Sequence, residues 1–316
     1  MNKKNLSPKR KTEMRSFGVA LLLAFLCVTF SIATPGFLSF ANLENILIQG
    51  TILLLLALPM TLIILAEGLD LSMGALLSLC TVVLAVVQIS TGSVTLGLVA
   101  TMMVALTFGY VNGALIAFYE LPPFVVTLGT LGLAQGLALV IAEGNTTMGI
   151  APEITWLWGG TVLGIPVPLW VSLIVFIGIY TLLYFTRFGA RIFALGGNRE
   201  ALNFAGISVN KSLIIVYVIG GFCVGIASLL MAGRVNGGHP TAAIGMEFDA
   251  IAAVAVGGTA FERGRGGLIG SLLGVLAVGV MRNGLNLLSM PSSVQVAAVG
   301  VVVIAALSID SLRNRA

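Results

Sequence analysis

Apolar residues in this chain gather into long runs, broken by short polar stretches rich in Gly, Pro, Asn and Ser. Ten runs stand out, at 16–33, 43–66, 71–90, 94–118, 123–142, 167–186, 212–233, 247–260, 265–283 and 292–309. Most approach the ~20 residues that a helix needs to cross a hydrocarbon core about 30 Å thick. The pattern predicts an all-α integral membrane protein of about ten transmembrane helices. A basic tail occupies 1–15, and a single transmembrane domain fills 16–316. The first run is longer than the usual apolar core of a cleaved leader, so a retained first span is expected.

Two polar interruptions are longer than the rest. Glu143 to Pro166 holds Pro152, Trp156, Trp158 and Pro166 but no basic residue, the composition of an external cap with interfacial tryptophans. Phe193 to Lys211 carries Arg199, Glu200 and Lys211, and its middle predicts one short helix over Arg199 to Ala205. Asn198 suits the N-cap, and Gly206 suits the left-handed turn that ends such a helix. So short a helix does not hold in water unaided. Ala201, Leu202, Phe204 and Ala205 therefore predict that it lies against a protein or membrane surface. A plain interfacial turn is the other reading of the same residues.

The two halves carry similar signposts in the same order. Gly68-Leu69-Asp70-Leu71-Ser72-Met73-Gly74 opens the third run, and Met246-Glu247-Phe248-Asp249-Ala250-Ile251-Ala252 opens the eighth. Val111-Asn112-Gly113 closes the fourth and Arg282-Asn283-Gly284 the ninth, while Pro122-Pro123 and Pro291-Ser292 begin the fifth and tenth. Corresponding runs lie five apart, an odd number, so the repeat is inverted. Inverted repeats recur in transporters.

Composition agrees with the pattern. Mean hydropathy is +1.08 and only 9% of residues are charged, against roughly 25% in soluble domains. The net charge of +4 is small and scattered, which gives no reason to expect nucleic acid. Its distribution is more informative. With the N-terminus inside, every one of the 16 Lys and Arg residues except Arg234 and Arg282 falls in a cytoplasmic piece. Basic residues stay on the cytoplasmic side, so both termini and the loop 187–211 are expected there.

Little of the sequence suggests chemistry of its own. There is no G-x-x-x-x-G-K-[ST] phosphate loop, and no nucleophile–base pair is evident. Cys27, Cys80, Cys223 and the lone His239 have no metal-ligand spacing. No catalytic residue, cofactor or metal is expected, and the energy for uphill transport must enter from another chain or an ion gradient. Asp70, Ser72 and Asp249 sit where helix caps would be favourable. Glu67 and Asp70 could alternatively serve a proton relay, as in an ion-coupled secondary carrier. Gln49, Thr127, Thr130, Gln135, Asn286 and Gln295 offer weak hydrogen bonds to a solute, or to neighbouring helices. Gly270 and Gly274 share one helix face and predict a close helix contact.

Several pieces resemble the permease subunits of bacterial ribose-type (monosaccharide) ABC importers. They are Glu67 to Gly74, Pro122 to Thr130, Ala194 to Ala201, Asp249 to Val254, Gly257-Gly258-Thr259 and Asn283 to Leu288. The resemblance implies a ten-helix permease in the bacterial inner membrane. It also implies a second permease copy or paralogue, two cytoplasmic ATP-binding subunits and an external or periplasmic sugar-binding protein. Asn198, Arg199, Glu200, Ala201, Leu202, Phe204 and Gly206 would then belong to a coupling helix docked on the ATPase. A permease of the same broad fold for branched-chain amino acids or nucleosides is the neighbouring alternative. The chain departs from the family pattern at Ala260-Phe261-Glu262-Arg263, where small residues are usual, and at Glu67.

Overall fold

The computed structural model describes residues 8–260 and 264–315. Helices α1 (Pro8–Ala33), α2 (Phe40–Leu65), α3 (Met73–Thr91), α4 (Val94–Phe118) and α5 (Pro123–Ile141) make the first half. A link follows with β1 (Thr147–Met148), α6 (Pro152–Gly159), β2 (Thr161–Val162) and β3 (Ile165–Pro166). The second half holds α7 (Val167–Phe185), α8 (Arg187–Leu195), α9 (Arg199–Phe204), α10 (Val209–Val235), β4 (Gly237–Gly238), α11 (Met246–Val256), α12 (Leu268–Leu287) and α13 (Ser292–Arg315). Each of the ten apolar runs corresponds to a helix. Among the described residues, seven of these helices are long and apolar enough to cross a membrane. The expected eighth span is shorter: α11 has 11 residues, about 16 Å of rise, half of a hydrocarbon core. Residues 261–263, where the chain departs from the family pattern, and the first seven residues of the basic tail 1–15 lie outside the described residues.

The core is built around α2. From Thr51 to Leu65 every residue of this helix is buried, the mark of a helix apolar on all sides and enclosed by others. It packs against α7, α10, α11 and α12. Pro59 removes one backbone donor within this enclosed stretch. Thr61 bonds to the Ala57 carbonyl at 2.7 Å and meets Ser271 of α12 at 2.7 Å, joining the helix to its neighbour.

The packing carries the inverted repeat further than the sequence does. Helix α3 packs on α4 and α5, as α11 packs on α12 and α13. Each half also lends its central helix to the other: α2 packs on α11 and α12, and α10 packs on α3 and α4. The outermost pair does not follow, since α1 lies on α12 whereas α7 lies on α2.

Close approach of backbones makes this arrangement possible. A Cβ at Gly109 would lie 2.5 Å from the Tyr217 carbonyl oxygen, and one at Gly113 would lie 2.7 Å from the Ile214 Cα. On the facing helix, a Cβ at Gly221 would strike the Ala105 carbonyl. Helix α12 meets α11 in the same way, with Gly270 against the Gly257 carbonyl and Gly274 against that of Ala253. The close contact predicted from Gly270 and Gly274 is therefore made. In lipid, such van der Waals contact replaces the hydrophobic drive that assembles soluble cores.

A direct check compares two glycines. Gly274→Leu should destabilise the detergent-solubilised protein by at least about 1–3 kcal/mol through overpacking, read as a lower thermal unfolding midpoint. Gly132→Leu, whose added Cβ meets nothing within 4 Å, should leave the midpoint nearly unchanged. Equal midpoints for the two variants would contradict backbone-close packing of α12 on α11.

Candidate functional site

The two candidate regions lie at opposite ends of the bundle. At one end α8 and α9 follow the close of α7. Thr186 breaks the helix there with extended backbone, and its hydroxyl accepts from the Gly189 N–H at 3.4 Å. Asn198 caps α9 as predicted, its Oδ1 accepting from the Ala201 N–H at 2.9 Å. Gly206 has φ +71°. Its N–H reaches the Asn203 carbonyl and the Ile207 N–H reaches that of Leu202, both at 3.0 Å. These paired bonds close the helix in a Schellman motif.

The lead-in is fixed against the core. Gly196 sits so close to the Leu65 carbonyl at the end of α2, and to Gly264, that any Cβ would clash. The apolar surface of α9 is divided differently from expectation. Only Leu202 is buried; Asn198, Arg199, Glu200, Ala201, Ala205 and Gly206 are exposed, and the Phe204 side chain is 91% exposed. This chain therefore satisfies one anchor of the helix and leaves the opposite face open.

The other end carries α6 and a cavity of about 770 Å³ between α2, α10, α11, α12 and α13. Its wall includes Gln49 and Leu53 of α2, Arg234 of α10, Phe248 and Asp249 of α11, and Arg282 of α12. Arg282 Nη2 donates to Asp249 Oδ1 at 2.6 Å. Beside that pair, Asn283 and Asn42 exchange two amide hydrogen bonds of 2.9 and 3.0 Å, tying α12 to the start of α2. The Arg234 guanidinium lies 5.4 Å from the centre of the Trp158 ring on α6. Strand β1 pairs with β4, which joins the long link to the end of α10.

Both α3 and α11 begin from non-helical backbone inside the bundle. Such backbone persists in membranes only where protein groups satisfy it. In the first half, the Leu69 carbonyl accepts from Tyr217 and from Thr127, each at 3.3 Å. Asp70 does not cap α3, and Ser72 occupies the N-cap position with helical backbone and no capping side-chain bond. Instead, Asp70 Oδ1 accepts from the Ser72 N–H at 2.9 Å and from its hydroxyl at 2.6 Å. Asn112 donates to the Ser72 hydroxyl at 3.0 Å and accepts from Thr130 at 2.8 Å. In the second half, Ser78 accepts from the Ala243 N–H at 3.0 Å and Gln135 donates to the Pro240 carbonyl at 3.0 Å. Asp249 lies in the first turn of α11, makes no capping bond there, and pairs with Arg282.

The six polar residues singled out for a path are thus scattered. Gln49 lines the cavity. Thr127, Thr130 and Gln135 hold backbone and Asn112 inside the bundle. Asn286 is exposed, and Gln295 donates to the Met290 carbonyl at 3.1 Å beside the turn before α13. Glu67 is exposed in a left-handed turn after α2, apart from the buried Asp70. Sequence reasoning missed the roles of Asn42, Asn112 and Arg282. The repeated Asn-Gly signpost, Asn112-Gly113 and Asn283-Gly284, was the available clue to the two asparagines.

Residues 42–307 match the family described as branched-chain amino acid transport system / permease component. The ribose import permease protein RbsC of Bacillus subtilis is 37% identical over 303 residues, covering 95% of this chain and 94% of that protein. The chain belongs to this family of transport permeases. RbsC of Escherichia coli K12 is also 37% identical, over 96% of this chain and 94% of its own. The D-allose transport system permease AlsC of the same strain is 33% identical, over 95% and 92%. No solved structure matches.

The buried polar chain makes a testable claim about the permease fold. Asn112→Ala removes one partner each from Ser72, which keeps its bond to Asp70, and Thr130, which keeps the Val126 and Thr127 carbonyls; it should cost about 0.5–1.5 kcal/mol per bond lost, seen as a lower unfolding midpoint. Asn286→Ala, at an exposed position, should shift the midpoint by less than about 0.5 kcal/mol equivalent.

Proposed function

We propose that this chain is the membrane-spanning subunit of an ATP-driven importer that moves a monosaccharide across the bacterial inner membrane. The observation that carries this reading is the near full-length similarity to permeases named for ribose and allose. The short capped helix α9, held by Leu202 and open on the side of Phe204, is consistent with it. ATP hydrolysis then belongs to a separate cytoplasmic subunit that receives α9 in a groove, with Arg199, Glu200 and Phe204 as its contacts. An external or periplasmic binding protein delivers the sugar to the α6 end, and a second permease copy or paralogue completes the pore. Both termini lie in the cytoplasm. Closure of the ATPase pair moves the two α9 helices, and the spans respond by exchanging outward-open and inward-open arrangements around a weakly binding path.

The family description, which names branched-chain amino acids, supports a second solute class. The sugar-named relatives cover nearly the whole chain at one-third identity or more and favour a sugar.

In cells carrying the complete transport system, ATP depletion should stop sugar uptake while an uncoupler alone leaves it running. The reverse result would identify an ion-coupled carrier. Phe204→Ala should reduce co-purification of the ATP-binding subunit and lower uptake at least tenfold, with membrane insertion intact. Tenfold corresponds to about 1.4 kcal/mol, within the range for a buried aromatic anchor. Unchanged assembly and uptake would remove α9 as the coupling element.

A further inference from the structure

We infer that the cavity at the α6 end is a solute subsite in which Asp249 and Arg282 together bind the hydroxyl groups of a neutral monosaccharide. The inference rests on the reading of the chain as a sugar permease and adds a location and a recognising pair to it. At about 770 Å³ the cavity falls within the range of small-molecule sites, roughly 300–1,000 Å³. Its wall is mostly apolar, with a few polar side chains converging on it, the usual composition of such sites.

The polar groups differ in how far they are already committed. The Asn283 amide is occupied by Asn42, and the Arg234 guanidinium stands over the Trp158 ring. Gln49 donates to Asn45 at 2.8 Å. Arg282 uses Nη2 on Asp249, and its buried Nε–H has no hydrogen-bond partner. The Arg282 side chain is 36% exposed and lines the cavity. A guanidinium offers five donors and a carboxylate offers acceptors only. Side by side, they complement vicinal hydroxyls, each of which both accepts and donates. Asp249 cancels the charge of Arg282, so the pair demands no charge of its ligand.

Helices α11 and α12 are already clamped by Gly270 and Gly274 on the carbonyls of Gly257 and Ala253. The pair continues that row, Asp249 one turn before Ala253 and Arg282 two turns after Gly274, and both residues line the cavity. Few polar contacts against apolar walls also give the weak retention that a conduit requires.

The test uses the full chain, with its companion subunits, in inside-intact membrane vesicles. Cys27→Ser removes the one native thiol that is not buried, and Phe248→Cys places a reporter on the cavity wall. Labelling of that cysteine by a membrane-impermeant maleimide is timed with and without D-ribose at tens of millimolar. Ribose should slow labelling at least about twofold, as near-half occupancy of a weak site requires. Gluconate, an anionic analogue, should slow it less. Arg282→Gln and Asp249→Asn should each abolish the protection, and Arg282→Lys, which keeps the charge without the planar fork, should retain less than half of it. Protection that persists in Arg282→Gln, stronger protection by gluconate, or none by D-ribose, D-allose or L-arabinose would overturn the subsite. ATP-dependent uptake of the same sugars is measured separately, so loss of the transport reading and loss of the subsite are told apart.

Discussion

Every other feature of this bundle depends on backbones that touch. Lipid gives helices no hydrophobic reason to associate, so they are held by dense contact and by polar groups that need partners. Gly109 and Gly113 of α4 bring that helix onto α10, where Gly221 meets it, and Gly270 and Gly274 bring α12 onto α11. The same contacts let α2 and α10 cross into opposite halves. Without them, neither the buried polar chain around Asp70 nor the cavity around Asp249 would have walls.

Close packing also permits irregular backbone at depth. The stretches before α3 and α11 expose carbonyls and N–H groups that hydrocarbon cannot satisfy. Tyr217, Thr127, Ser78 and Gln135 reach them from three other helices. Thr127 and Gln135 look from sequence like path-lining candidates, but much of their hydrogen-bonding capacity is spent on the chain itself.

The repeat related by sequence has diverged in chemistry. In the first half the acid at the signpost, Asp70, is enclosed by Ser72 and, through it, Asn112 and Thr130. In the second half Asp249 faces Arg282, where the corresponding residue of the first half is Val111. One half therefore builds a sealed joint, and the other builds a polar wall beside open space. That difference puts a polar wall at the α6 end, opposite the exposed face of α9.

Membrane residence, the ten helical runs, the charge asymmetry and the capped α9 were legible in the sequence. Each depends on residues close in the chain: run length, loop charge, and an Asn and a Gly bracketing seven positions. The inverted repeat was visible as well, because its signposts keep their order. The half-length of α11 was not, since an apolar run continues beyond Val256 into a turn that folds back on α12. Nor was the pairing of Asp249 with Arg282, 33 residues away, or of Asn42 with Asn283. Local spacing determines which residues become helix; which buried polar group meets which depends on how the helices cross, and that was decided only by the tertiary packing.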